Sequence, residues 1–423
     1  MNIGLYTLTS PLHDQKSVEA VSAGFIAEIE SELNFRFDYK GADFGTYGTH
    51  DLEVIFVRTG GTEGIFKKVF PSLKGNIVLL TSGRSNSLAA SMEIMSYLNQ
   101  QGRRGEILHG NISYIAGRLT TLAKVVSAAK RLADSNVGVI GKPSDWLISS
   151  NADKDRLKSV LGINLIDVPI EELVAEISSQ PSISSDLADK VKSQFNDKAP
   201  SFLKDRAEMS FRIYSALKGI VRRYDLKGLT VRCFDLLDAV GNTGCLALAM
   251  LNAEGVPAGC EGDVPALVTM MIGKALTGQC GFQANPSRID PEQGEMVLAH
   301  CTVPLDMVGS YSFDTHFESG LGIAIKGELP EGQATIVKVA GDMSRIFCCE
   351  AALTGNLCES SLCRTQIRVK LDGDGGRVCR DYFLTAPIGN HHIVFLGAQK
   401  QLFEDFFSYS DFPDSSNQDN QIL

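Results

Sequence analysis

The residues best placed to do chemistry form a short polar cluster between two apolar segments. Glu261 and Asp263 lie in the tetrapeptide Cys260-Glu261-Gly262-Asp263, after a predicted strand, Val256–Cys260, and before a predicted apolar helix, Val264–Leu276. Open α/β sheets place their sites at such carboxyl ends of strands. Asp263 also has a structural interpretation, because an acid at this position caps the free N–H groups of a helix. Glu261 has no such local role, and we interpret it as a functional carboxylate.

The histidines supply a second group of candidate residues. The chain has seven histidines, and four of them fall in its last third. His300 lies in a predicted apolar strand, and His391 precedes another. His316 and Glu318 are two residues apart, which puts both on one face of an extended segment. A single histidine on an apolar strand is more often a packed core residue than a ligand, but a carboxylate with two spaced histidines is an ordinary ligand set for a divalent metal.

Two loops that follow predicted strands, Thr59–Gly64 and Ser82–Asn86, are rich in Gly, Ser and Thr, and a third loop, Lys142–Trp146, is predicted to lie at the carboxyl edge of its own sheet. Their backbone N–H groups and hydroxyls could bind an anion or a sugar. Turns with good capping residues explain the same composition equally well. Neither of the first two loops matches a nucleotide-binding motif. The residues predicted to contact a substrate are Asn86, Ser144, Asp145, Trp146 and His316.

The order of the predicted elements indicates an α/β protein of more than one domain. Strands and helices alternate through the first 290 residues, which is typical of parallel sheets covered by helices. Strand-like runs such as Gly322–Lys326 then follow one another, separated by Gly-rich turns. We therefore predict two Rossmann-like domains, 1–135 and 136–290, and a β-rich, small barrel-like domain, 291–423. A helix is also predicted at Leu187–Phe195, and the polar residues Asp411–Leu423 are predicted to be frayed.

Composition excludes several classes of function. The formal net charge is −10, so the basic surface that nucleic-acid binding requires is not expected. The sequence contains no run of about 18 apolar residues, so a membrane span is not expected. The N-terminal residues lack the pattern of a signal peptide. The ten cysteines all lie from Cys233 onward and include no CxxC pair. We interpret them as reduced thiols, and we predict a cytoplasmic protein.

Three stretches resemble the metal-site segment of the L-fucose isomerase and L-arabinose isomerase superfamily. They are Cys260-Glu261-Gly262-Asp263, Leu276-Thr277-Gly278 and Ala284-Asn285-Pro286, and the pair Asn390-His391 before an apolar strand completes the likeness. The resemblance implies that Glu261 binds a divalent metal, expected to be Mn²⁺, and shuttles a proton. It also implies metal-binding positions at Asn285, His300 and His391. A homo-oligomer is implied as well, in which the first domain of one subunit covers a neighbour's site.

Asn285 is the important departure from this resemblance, because the family has an acid there. An amide oxygen can bind a metal, but it does not take up a proton at neutral pH. If the reaction needs a second carboxylate, another acid must supply it. The candidates are Glu318, Asp263 and Asp235, and we predict catalytic roles for Glu261, Asp263 and Glu318.

The residues and the resemblance together predict a metal-dependent aldose–ketose isomerase with a small sugar as its substrate. Such an enzyme moves a proton between adjacent carbons through an enediolate, which requires a polarising cation and an acid/base group. Two alternatives remain open. One is a non-catalytic sugar-binding or regulatory protein that kept the fold, and the other is a different metal-dependent reaction such as aldol cleavage or epimerisation.

Overall fold

The computed structural model describes residues 2–33, 35–181 and 201–410. The chain divides into two compact units, Met1–Ser127 and Ala128–Leu423. The predicted helix at 187–195 and the polar tail 411–423 lie outside the described residues. Within the described ranges, no helix combines the length and the apolar character needed to cross a membrane.

The first unit is built on a five-stranded parallel sheet. Its strands are β1 (Ile3–Leu8), β2 (Asp38–Gly41), β3 (Leu52–Val57), β4 (Ile77–Leu80) and β5 (Gly105–Leu108), in the order β2-β1-β3-β4-β5. The helices Gln15–Leu33, Glu63–Val69 and Ser87–Gln100 connect them, and Ile112–Leu132 follows β5. Every residue of β1 and β3 is buried. Strands buried on both faces read as continuous apolar runs, which is the pattern that these segments have.

The second unit begins with a four-stranded parallel sheet. Its strands are β6 (Asn136–Ile140), β7 (Asn164–Val168), β8 (Leu226–Val231) and β9 (Ala258–Cys260), in the order β7-β6-β8-β9. The helices of this part are Lys154–Leu161, Ile170–Ser179, Ser201–Arg223, Asp235–Val240, Cys245–Ala253 and Val264–Thr277. The last of these is buried along nearly its whole length. A helix that is apolar all round must be covered on several sides.

A closed antiparallel barrel follows in the same unit. Its strands are β10 (Phe282–Asp290), β11 (Glu295–His300), β14 (Gly332–Val339), β15 (Ile346–Asn356), β16 (Thr365–Leu371) and β17 (His392–Leu396), in the order β10-β11-β16-β15-β14-β17. A two-stranded sheet of β12 (Ser310–Asp314) and β13 (Ala324–Glu328) accompanies it, with the short helix Gly375–Val378 and the helix Lys400–Tyr409. The predicted fold class, two parallel α/β sheets followed by a small barrel, is confirmed. The division into three domains at 135 and 290 stays a prediction.

One predicted strand is displaced along the chain. The sequence pattern predicts Gly322–Lys326, whereas β13 spans Ala324–Glu328. The reason is local, because Gly320 and Gly322 adopt positive φ angles of 62° and 64°. Such angles lie in the left-handed region and cannot continue a strand.

The helix Val264–Thr277 is held between the sheet and the barrel. A Cβ atom at Gly273 would overlap the ring of Phe395 in β17, and one at Gly228 in β8 would overlap the Met271 side chain. Glycine at these two positions therefore lets the helix approach both layers closely. Because Glu261 and Asp263 lie just before this helix, its seating fixes where they stand relative to the barrel.

We expect Gly273→Ala to lower the free energy of unfolding by about 1–3 kcal/mol, because the added methyl group overpacks the contact with Phe395. Gly117→Ala is the matched control, since it makes the same change in the helix Ile112–Leu132 where a Cβ atom would meet nothing within 4 Å. That variant should be more stable by about 0.4–1 kcal/mol. Equilibrium urea unfolding measures both, and a Gly273→Ala protein as stable as the wild type would contradict the close packing.

Candidate metal centre

Glu261, His300 and His391 converge on one point in the second unit. Each offers one ligand atom, and the three atoms lie within 4.8 Å of one another. The Nε2 atom of His391 is 3.6 Å from Oε1 of Glu261, and Nε2 of His300 is 4.0 Å from the same oxygen. The two histidines are buried and Glu261 is nearly so. Two imidazoles and a carboxylate form a donor set that suits Mn²⁺, Zn²⁺ or a similar cation.

Strand pairing in the barrel brings the two histidines together. His300 is the last residue of β11, and His391 immediately precedes β17. β10 pairs with both of these strands, through Asn285 with Ala299 and through Ala284 with His392. The two imidazole rings therefore meet edge to face, with their centroids 5.4 Å apart.

The turn after β9 brings Glu261 to the same point. Glu261 and Gly262 have φ angles of 64° and 70°, so the chain reverses between the strand and the following helix. A Cβ atom at Gly262 would lie 2.5 Å from the carbonyl oxygen of Lys142, and only glycine fits there. Glu261 in the left-handed region costs about 1–3 kcal/mol, a strain that is typical of functional sites.

Each of the three side chains has its remaining polar atom held by a neighbour. Asp263 Oδ2 is 2.8 Å from Nδ1 of His391, and Thr302 Oγ1 is 2.8 Å from Nδ1 of His300. Trp146 donates its indole N–H to Oε2 of Glu261 at 2.6 Å. These contacts orient the side chains and leave Nε2 of each histidine and Oε1 of Glu261 turned toward one another, which is the arrangement of outer contacts that metal ligands usually have.

One buried atom gives an independent test of whether a cation fits. Nε2 of His391 is buried and has no hydrogen-bond partner among the described residues. An unpartnered buried polar atom is costly, and each such atom in a native protein calls for an explanation. A cation between Glu261, His300 and His391 would satisfy it, so the residues present fit a divalent metal.

The pKa values of the three residues follow from this crowding. Burial would raise the pKa of Glu261, but His391, His300 and the Trp146 N–H lower it to about 2. Burial would lower the pKa of His391, but the hydrogen bond to Asp263 and the negative charges of Glu261 and Asp263 raise it to about 9. Burial and the neighbouring His391 lower the pKa of His300 to about 3. At neutral pH the metal-free group therefore holds a carboxylate, an imidazolium and a neutral imidazole.

Asp263 stands behind His391 rather than in the group of three. Its side chain is fully buried, and Oδ1 accepts a hydrogen bond from the N–H of Ala266 at 2.8 Å. The capping role expected from the sequence is therefore present, together with the contact to His391. Charge from Lys338 and the hydrogen bond with His391 outweigh burial and lower the pKa of Asp263. A catalytic role for Asp263 stays a prediction.

Lys338 is a residue of this site that sequence reasoning missed. It lies in β14, its side chain is 1% exposed, and its Nζ atom is 3.6 Å from Oδ2 of Asp263. Burial lowers the pKa of its ammonium group, and the charge of Asp263 opposes that shift. The sequence did contain a signal for it, a single lysine in the apolar run Ile336-Val337-Lys338-Val339. A charged side chain in a buried strand requires a partner, so this lysine indicated a buried polar contact.

Asn285 lies in β10 opposite Ala299, the neighbour of His300, and its side chain is hydrogen-bonded to Asn390. Oδ1 of Asn285 accepts a hydrogen bond from Nδ2 of Asn390 at 3.1 Å. Asn390 precedes His391, so the contact joins the two chain segments that flank the site. Metal binding by Asn285 stays a prediction. Asp235, a candidate for the missing acid, accepts a hydrogen bond from Nε of Arg232 at 2.9 Å.

An aromatic row extends from Glu261 toward the loop that carries His316. Trp146 packs edge to face on Phe234, with ring centroids 4.8 Å apart, and Phe234 packs in the same way on His316 at 5.5 Å. Burial lowers the pKa of His316, and the charge of Glu261 acts in the opposite direction. Partial burial and the charge of Glu261 raise the pKa of Glu318. Both residues therefore lie within electrostatic reach of Glu261.

The other predicted substrate residues have different surroundings. Ser144 is buried, and its N–H donates to the carbonyl oxygen of Glu261 at 2.9 Å. Asp145 is exposed and pairs with Arg232, which lowers the pKa of Asp145 to about 2. Asn86 belongs to the first unit, where it precedes the helix Ser87–Gln100 with a φ of 58°. A role in substrate binding stays a prediction for each of them.

Comparison with known proteins points to sugar isomerases. No family model matches the chain. The sulfoquinovose isomerases of Priestia aryabhattai and of Priestia megaterium (strain ATCC 12872 / QMB1551) are each 24% identical to it over 284 residues, which is 64% of this chain and 61% of the relative. The sulfoquinovose isomerase of Clostridium sp. (strain MSTE9) is 34% identical over 91 residues, 21% of this chain and 20% of the relative. The alignments with the Priestia proteins thus span about three fifths of those relatives.

Cation binding should release a proton, because His391 is protonated in the metal-free site below its pKa of about 9. Mn²⁺ affinity should therefore rise about tenfold per pH unit between about pH 6 and pH 9 and level off above that range. Calorimetry in buffers of different ionisation enthalpy measures the number of protons released. His13→Gln, in the first unit, should release the same number as the wild type, and an affinity independent of pH would contradict the assignment of His391.

Proposed function

We propose that this chain is a metal-dependent aldose–ketose isomerase that acts on a sugar. The observation that carries the proposal is the group of Glu261, His300 and His391, in which a buried nitrogen of His391 lacks a hydrogen-bond partner. Similarity to proteins named sulfoquinovose isomerase supports the reaction class. The resemblance of the segments around Glu261, Asn285 and His391 to the L-fucose isomerase superfamily supports it further.

Glu261, His300 and His391 would hold the cation, which we propose to be Mn²⁺. When bound, it would polarise the carbonyl and hydroxyl oxygens of the sugar and favour the negative charge that develops on them. The protein's own contribution is to fix the three side chains before the sugar arrives. Asp263, Thr302 and Trp146 each hold the second polar atom of one of them, so little reorganisation is needed.

Proton transfer between adjacent carbons needs a group that first accepts and then returns a proton. Glu261 is ionised at neutral pH, since its pKa is about 2, and it is therefore in the form of a base. Glu318 has a raised pKa because of partial burial and the charge of Glu261. A carboxyl group with a raised pKa is better suited to donate a proton near neutral pH. We assign the acid/base work to these two residues.

We further propose an oligomeric state, a cellular location and a set of sugar contacts. A homo-oligomer, with the first unit of one subunit covering the site of another, follows from the family resemblance alone. The ten cysteines are all free, which suits the reducing conditions of the cytoplasm. Asn86, Ser144, Asp145, Trp146 and His316 are proposed to contact the sugar.

A non-catalytic sugar-binding protein is the second candidate, and Asn285 is the observation that favours it. The family acid is replaced there by an amide, whose oxygen is already bonded to Asn390. A protein that kept the metal group but lost its second base would still bind a sugar through the cation and the aromatic row.

The reaction is tested by incubating the Mn²⁺-loaded protein with sulfoquinovose and with a panel of neutral aldoses and ketoses, and by identifying the product sugar. Glu261→Gln should lower turnover by at least about 10²–10⁴-fold, because it removes the base and a charged ligand together. Glu359→Gln is the matched control, since it makes the same change at a carboxylate that pairs with Arg288 and is not one of the three ligands. Mn²⁺ binding and sugar binding without any product from the panel would favour the binding protein instead.

A second pair of variants locates the missing acid. If Glu318 has taken over its role, Glu318→Gln should lower turnover by about 10²–10⁴-fold while Mn²⁺ affinity stays the same. If the site merely lost its base, Asn285→Asp should raise turnover. Full activity in Glu318→Gln would exclude Glu318 as the second acid/base group. An inactive wild type that becomes active through Asn285→Asp would indicate an enzyme that has lost its activity.

A further inference from the structure

The loop Gly141–Leu147 is packed directly against the turn that carries Glu261. The carbonyl oxygen of Lys142 and the Cα atom of Pro143 would lie 2.5 and 2.8 Å from a Cβ atom at Gly262. This distance leaves no room for a side chain, so the two backbones touch across the glycine. The N–H of Ser144 adds a hydrogen bond of 2.9 Å to the carbonyl oxygen of Glu261.

Arg232 fixes the same loop from its other side. Its guanidinium donates to the carbonyl oxygen of Pro143 at 2.7 Å and to Oδ2 of Asp145 at 2.8 Å. Arg232 directly follows β8, so these bonds tie the loop to the end of the central strand pair. These backbone and side-chain contacts hold the loop in place independently of the Trp146 side chain.

Trp146 completes this arrangement with a contact to the functional carboxylate itself. Its N–H donates to Oε2 of Glu261 at 2.6 Å, while Oε1 is the oxygen that faces His391 and His300. The indole is nevertheless 51% exposed. Exposing so large an apolar side chain forgoes the burial that would normally stabilise it, so packing alone does not account for its position.

We propose that Trp146 is a positioning residue, which by holding Oε2 leaves a single oxygen of Glu261, Oε1, to bind the cation. This inference deepens the proposed function and rests on it for the identity of the ligand. The two oxygens of a carboxylate are chemically equivalent, and without a donor on one of them either or both could turn toward a cation. The loop Gly141–Leu147 removes that choice.

The placement also links the cation to the sugar. Trp146 is exposed and packs on Phe234. A sugar that contacts the indole would therefore also affect the hydrogen bond from the indole to Glu261. The position of the Trp146 side chain then determines both how a sugar contacts the aromatic row and how the Glu261 carboxylate is oriented.

The first test uses Trp146→Phe, which keeps an aromatic ring but removes the N–H donor. We expect Mn²⁺ to bind this variant about 10- to 100-fold more weakly, as is usual when a partner of a metal ligand is lost, while the thermal unfolding midpoint stays near that of the wild type. Ile148→Ala changes a residue that is 86% exposed in the adjoining segment, and it should bind Mn²⁺ like the wild type. Equal affinity in Trp146→Phe and wild type would overturn the proposal.

A second measurement needs no metal. Trp146 is the single tryptophan of the chain, so the emission of the metal-free protein comes from this side chain and responds to the surroundings of its indole. Glu261→Leu removes the acceptor and should shift the emission maximum, whereas Ile148→Ala should not. An unchanged emission in Glu261→Leu would show that the bond is absent and overturn the proposal. Failure of every form to bind Mn²⁺, combined with a shifted emission, would support the contact and refute the proposed function.

Discussion

Asp263 makes the contact on which the rest of this site depends. One of its oxygens caps the helix Val264–Thr277 through the N–H of Ala266, and the other is 2.8 Å from Nδ1 of His391, just before β17. Lys338 of β14 stands 3.6 Å from that second oxygen. A single buried carboxylate thus joins the helix after the parallel sheet to two strands of the barrel. Removing one partner from such a buried charge pair costs about 3–5 kcal/mol, so the charges specify how the two layers meet.

Because the helix and the barrel are fixed relative to each other, the turn at Glu261 can direct its carboxylate toward His300 and His391. The N–H of Cys260 donates to Oε1 of Gln283 in β10 at 2.9 Å, and the N–H of Gly262 donates to the carbonyl oxygen of Val231 in β8 at 3.0 Å. Sheet and barrel therefore both hold the residues on either side of Glu261. This support offsets the strain of a left-handed glutamate, which persists only where the surroundings over-determine it. A strained, well-supported turn keeps the carboxylate pointed at the two histidines.

Short-range sequence patterns predicted more of the fold than of the side-chain contacts within the site. The alternation of strands and helices, the cap at Asp263 and the β-rich last third all follow from short-range sequence rules, and the structure has each of them. The closing of the barrel through β10 and β17 depends on pairing between strands about 110 residues apart. The same limit hid the bond between Trp146 and Glu261, which are separated by 115 residues. Lys338 was missed for another reason, since its isolation in an apolar strand shows that it has a partner but not which one.

Asparagine at position 285 affects the net charge of the buried site as well as the number of bases in it. In the metal-free site, the carboxylates of Glu261 and Asp263 are matched by the imidazolium of His391 and the ammonium of Lys338. Exchanging the imidazolium proton for a divalent cation would leave this group with one positive charge in excess. An aspartate at position 285 would cancel that charge, whereas asparagine preserves it. Because an uncompensated charge is costly at such a depth, the excess favours a ligand that is anionic or that becomes negative as its proton leaves. In the proposed isomerase, Asn285 would therefore remove one possible base and strengthen the electrostatic attraction on the sugar oxygens, and these opposite effects would make the identity of the second acid the deciding feature of the site.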